Sequence, residues 1–108
     1  MYKYKTVKSL LKQPNSWTKG AMARNGTAAL VDVNSKNATC FCLVGATTRV
    51  YGHTQARDSV DRKLQQSILR LFPEVTDGLD PREVIVRFND SLSTTHDEIL
   101  RVVTAANI

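Results

Sequence analysis

Nowhere does this chain run to the roughly 20 consecutive apolar residues that a membrane-spanning helix needs, so no membrane partner is expected. The opening "MYKYKTVKSLLKQ" holds lysines but no apolar core of signal-peptide length and no small-residue cleavage site, which predicts a cytoplasmic protein. Cysteine is limited to Cys40 and Cys42, and in that compartment both are expected as reduced thiols. Aromatic residues make up only 6% of the chain, Trp17 being the single tryptophan, so no cluster of aromatic or arginine side chains suited to stacking on bases accompanies its lysines. Internal repeats and low-complexity linkers are also missing.

What is present is ordinary for a soluble globular protein: 42% apolar and 23% charged residues in 108, enough for one core and too little for two. A single domain over residues 1–108 is expected. The net charge of +5 is unevenly placed. Lys3, Lys5, Lys8, Lys12, Lys19 and Arg24 all precede the first acid, Asp32, whereas the other nine basic residues face ten acidic ones. This asymmetry suits a nucleic-acid surface built from those six residues, and it equally suits the solvated face of an amphipathic helix.

Periodicity predicts a mainly α fold, a compact bundle of four to five helices around a central one. "KTVKSLLKQ" places Val7, Leu10 and Leu11 on one helical face, and Pro14 ends it. Asn25-Gly26 marks a turn, and residues 27–33 suit a short strand or extended arm. The central stretch "NATCFCLVGATTRVYG" admits two readings. One is a helix of about four turns capped by Asn37 and closed by Gly52; the other is a strand over Thr39 to Val44, favoured by its β-branched residues. Being apolar almost all round, it belongs at the centre of the fold in either case. Ser59 is expected to cap a helix from Val60 to Phe72 that Pro73 stops. Asp80, Pro81 and Glu83 have the grammar of a helix start, which outweighs the strand-like "VIVRF". Thr95 and Glu98 form a capping box for the last helix.

Few residues here are equipped for chemistry. Cys40, Cys42, His53 and His96 can be imagined as a zinc set, but two cysteines separated by one residue point about 200° apart on a helix, so neither a metal nor a cofactor is expected. Cys42 alone has a sharper alternative as a nucleophile with His96 as base and Asn89 or Asp90 as orienting group, the pattern of a cysteine-dependent hydrolase or transferase. The competing reading makes it a small buried hydrophobe. "RFND" anchors Phe88 in the core and sends Asn89 and Asp90 out of the helix end, toward backbone groups or a ligand.

In order and spacing, "SWTKGAMARNG", "CFCLVGA" and "VIVRFNDSLSTTHDEIL" with a late "AA" resemble a family of small domains of unknown function found in actinobacterial and bacteriophage genomes. The matching positions are Trp17, Gly20, Ala21, Arg24, Cys42, Leu43, Gly45, Ala46, Phe88, Asn89, Asp90, Thr95 and His96. Phe41 departs from the family's Trp-Cys pair. The resemblance implies a mostly helical fold, marks Cys42 and not Cys40 as the family-like cysteine, and suggests a phage or mobile-element origin. It implies no activity. The leading expectation is therefore a non-enzymatic binding protein that engages a host macromolecule or small ligand through Trp17, Arg24, Asn89 and Asp90, in an inhibitory or accessory role. The cysteine enzyme and the basic nucleic-acid binder are its rivals.

Overall fold

Caps and prolines set where each helix begins. A computed structural model describes residues 6–74 and 80–108. Thr6 accepts the Ser9 N–H at 3.1 Å and opens α1 (Val7–Leu10), a single turn that buries Val7 and Leu10 with Leu11 beside them. α1 is shorter than its apolar spacing suggests. Pro14 forces Gln13 into the extended region and starts a 3₁₀ turn, Pro14–Ser16.

The Asn25-Gly26 turn forms, with Asn25 Oδ1 accepting the N–H groups of Thr27 at 2.9 Å and Ala29 at 3.0 Å. Its strand, β1 (Ala23–Arg24), lies before the turn. Within residues 27–33 only Leu30 pairs, in an isolated bridge with Arg24. β1 runs antiparallel to β2 (Cys40–Phe41), Ala23 opposite Phe41 and Arg24 opposite Cys40.

Each reading of the central stretch holds only in part: strand is confined to Cys40–Phe41, Leu43 and Val44 are helical, and the helix runs only from Leu43 to Tyr51. The helix does not start at Asn37, which is exposed and caps nothing. The N–H of Thr39 donates to Arg24 at 2.9 Å and that of Cys42 to Met22 at 3.4 Å, so these amides bond sideways to the chain around β1 and cannot close helical turns. Helix α2 (Leu43–Tyr51) begins only after Cys42, which takes the N-cap position with its Sγ 3.2 Å from the Gly45 N–H. Gly52 closes it at φ +68°, as its lack of a Cβ allows.

α3 (Gln55–Leu71) starts five residues earlier than expected. Thr54, not Ser59, caps it, accepting the Arg57 N–H at 3.3 Å, and Ser59 becomes an interior residue. Gln55, Ala56 and Arg57 are good helix formers, and Asp58 sits favourably at the positive end of the helix dipole. α4 (Pro81–Asp90) and α5 (His96–Ala106) follow their start signals: Asp80 caps Glu83 at 3.0 Å, and Thr95 and Glu98 form the reciprocal capping box.

α3 packs against α2, α4 and α5, while α1 sits against α2 and α5. Leu64 and Ile68 of α3 meet Val84 and Ile85 of α4 and Ile99, Val102 and Val103 of α5 in the core, all fully enclosed. Burying each such side chain stabilises the fold by roughly 1.5–3 kcal/mol relative to exposure. The Ser67 hydroxyl donates to the Val102 carbonyl at 2.8 Å and ties α3 to α5. No helix among the described residues is long and apolar enough to cross a membrane.

Candidate functional site

The last turn of α4 carries Asn89 to a junction where three segments meet. Its Oδ1 accepts the Trp17 indole N–H at 2.7 Å and the Leu43 backbone N–H at 3.0 Å. Its Nδ2 donates to the Thr18 carbonyl at 3.1 Å and to Asp90 Oδ1 at 2.9 Å. Two donors on one side and two acceptors on the other leave one orientation for this amide. Asp90 Oδ1 also accepts the Gly20 N–H at 3.0 Å, and Lys19 lays its ammonium over the Trp17 ring, 5.4 Å from the centroid, while donating to the Ser91 carbonyl. The segment from Trp17 to Gly20 is thus fastened to the end of α4.

Of the residues singled out from the sequence, Trp17, Asn89 and Asp90 lie together at this junction. No hydrogen bond among the described residues joins Arg24 directly to Trp17, Asn89 or Asp90. The Arg24 guanidinium holds its own loop, bonding the Thr18 hydroxyl at 3.2 Å and the carbonyls of Ala28 and Lys19 at 3.1 and 3.3 Å. His96 lies with its ring centroid 6.2 Å from that of Trp17, and its Nε2 is 2.7 Å from the Leu11 carbonyl. Because a carbonyl only accepts, Nε2 carries the proton. No hydrogen bond among the described residues joins His96 to Cys42, Asn89 or Asp90.

Cys42 is 7% exposed, and its sulfur accepts from the start of α2. Burial pushes its thiol pKa up and the negative charge of Asp90 adds to this, against the opposing pull of the Gly45 and Val44 amides. Cys40 is half-buried with its sulfur 3.8 Å from the Arg24 carbonyl, and His53 meets Arg57 at 3.0 Å. No cluster of three or more metal-ligating side chains exists among the described residues. Of the six N-terminal basic residues, Lys3 and Lys5 lie outside the described residues, Lys8 and Lys12 are exposed, and Lys19 and Arg24 are engaged as above.

Beside this junction a cleft of about 300 Å³ opens between α4 and the loop ahead of β1. Ala21, Met22, Cys42, Val44 and Val86 give it an apolar lining, with Arg82, Asn89 and Asp90 along α4. Met22 and Val86 remain 40% and 42% exposed. Sequence reasoning passed over Met22, Arg82 and Val86. The signal was nonetheless there: Arg82, Val86 and Asp90 recur every four residues on α4, off the stripe that buries Val84, Ile85 and Phe88, so Val86 is an apolar residue facing outward.

Behind Arg82 sits Asp61, 3% exposed, with one carboxylate oxygen 3.7 Å from Arg57 Nε and 3.9 Å from Arg82 Nε and the other without a hydrogen-bond partner. Burial raises its pKa, opposed by the Thr47 hydroxyl and the two arginines.

Comparison with curated proteins and with solved structures gives no match. The chain does match one family over residues 4–107, nearly its whole length, and it belongs to that family: DUF6197, a family of unknown function.

Proposed function

We propose that this protein is a small helical binding module that takes its partner in the cleft between Met22 and Val86. One observation carries the reading. Trp17, Asn89 and one oxygen of Asp90 are engaged in holding the fold, whereas the adjoining surface offers apolar side chains to an occupant. Open apolar concavities with a few convergent polar groups are where ligands and partners dock. In keeping with the resemblance to bacteriophage domains, the partner is a host macromolecule in the cytoplasm, and the role is inhibitory or accessory.

The cysteine-enzyme reading has weaker support. A nucleophilic thiolate needs a lowered pKa and a base within reach, while the Cys42 thiol is pushed up and His96 is bonded to Leu11.

An NMR screen of the ¹⁵N-labelled full chain with small amphipathic fragments tests the proposal. Binding fragments are expected to shift the amides of Ala21, Met22, Val44 and Val86, and Val86→Asp is expected to abolish those shifts. Shifts confined to another surface, or none at all, would overturn it.

A further inference from the structure

The cleft is apolar along its length but not at its ends. Arg82 and Asp90 lie eight residues apart on α4, which at 1.5 Å per residue separates them by about 12 Å along the axis, with Val86 midway. One end of the groove therefore carries a cation, Arg82, with Asp61 and Asp80 behind it, and the other an anion, Asp90, with the Lys19 ammonium close by on the Ser91 carbonyl. Each charge is partly engaged and partly open to solvent. The Arg82 side chain is 46% exposed and its contact with Asp61 is a loose 3.9 Å; Asp90 is exposed and has only Oδ1 occupied.

Resting on the cleft reading above, we infer that the occupant is an extended segment of a partner protein, in which about three apolar residues separate an acidic residue from a basic one. An extended chain advances roughly 3.3–3.6 Å per residue, so three to four residues cover the distance from Arg82 to Asp90. Alternate side chains of such a segment face the same way and can settle between Met22 and Val86 over Cys42 and Val44. The acidic end then lies at Arg82 and the basic end at Asp90. A free amino acid cannot bridge two charges so far apart, and a lipid tail has no use for opposite charges at both ends of its groove.

NMR titration of the full chain with blocked synthetic pentapeptides tests the inference. Glu-Val-Leu-Val-Lys is expected to bind about three- to tenfold more tightly than either Glu-Val-Leu-Val-Glu or Lys-Val-Leu-Val-Lys, as exposed ion pairs at each end allow. The preference is expected to shrink as salt rises. Arg82→Gln is expected to bring the Lys-ended peptide level with the mixed one, a selective effect that loss of fold would not produce. Val86→Asp, on an exposed position, is expected to abolish binding of all three. Equal affinity for the three peptides would overturn the charged-end segment while leaving the cleft as a binding site. Fragments that bind in the cleft where no peptide does would overturn the extended partner. If neither fragments nor peptides bind, the cleft reading falls with it.

Discussion

The indole N–H of Trp17 reaches the same Asn89 oxygen that accepts the first backbone N–H of α2, at 2.7 Å and 3.0 Å. One amide therefore fixes the position of the Trp17 loop relative to the start of α2, and its loss strands several groups at once. Asn89→Ala leaves the Trp17 indole, the Leu43 N–H and the Thr18 carbonyl without partners, and is expected to destabilise the fold by roughly 3 kcal/mol or more. Trp17→Phe keeps the Leu43 bond and is expected to lose less than Asn89→Ala. Urea unfolding of both variants and the double mutant checks this. The two effects should be strongly non-additive, and simple addition would count against a shared node.

Gly45 tests how closely the loop ahead of β1 approaches α2. A Cβ there would stand 1.9 Å from the Met22 carbonyl oxygen, so Gly45→Ala forces two backbones apart. At an open helical position the change stabilises by roughly 0.5–1 kcal/mol; here it is expected to destabilise by about 1–3 kcal/mol. Unchanged or raised thermal stability would show that the contact yields freely.

Asp61 contributes to the pH dependence of stability. Its folded pKa is raised above the ordinary 3.8, so over the interval between the two values the native state keeps a proton the unfolded chain has lost. Stability contributed by the protonated form is complete below about 3.8 and declines as pH rises through that interval. Relative to wild type, Asp61→Asn is expected to gain stability as pH goes from about 3.5 to neutrality. A difference independent of pH, measured by urea unfolding across that range, would contradict the raised value.

Cys42 is expected to be slow toward iodoacetamide. In a Cys40→Ala background its alkylation should show an apparent pKa above the ordinary 9.0, accelerate in urea, and keep the same pH profile after His96→Ala, because His96 is bonded to the Leu11 carbonyl. Rapid labelling near neutral pH that depends on His96 would restore the enzyme reading.

The helix starts at Asp80 and Thr95 were legible because their signals are local: a side chain bonding an amide three residues on. The start of α2 was not. Cys42 is a poor match to the usual capping residues, and the helix is kept from beginning earlier by Met22 and Arg24, whose carbonyls lie fifteen or more positions away in sequence. For the same reason Trp17, Asn89 and Asp90 announced themselves by residue type, while the cleft they adjoin depends on which face of α4 stays uncovered. The carbonyl partners of Arg24, at Lys19 and Ala28, belong to the folded shape of its own loop, which no local sequence signal announces.

The bonds of the Trp17 loop also carry a kinetic consequence. Trp17, Lys19 and Gly20 take partners about seventy residues downstream, at Asn89, Ser91 and Asp90, whereas the helix caps close within three or four. Joining such distant positions must overcome a loop-closure entropy that local turns escape. During refolding the helical circular dichroism should therefore recover before the fluorescence of Trp17, whose native surroundings exist only once α4 has docked.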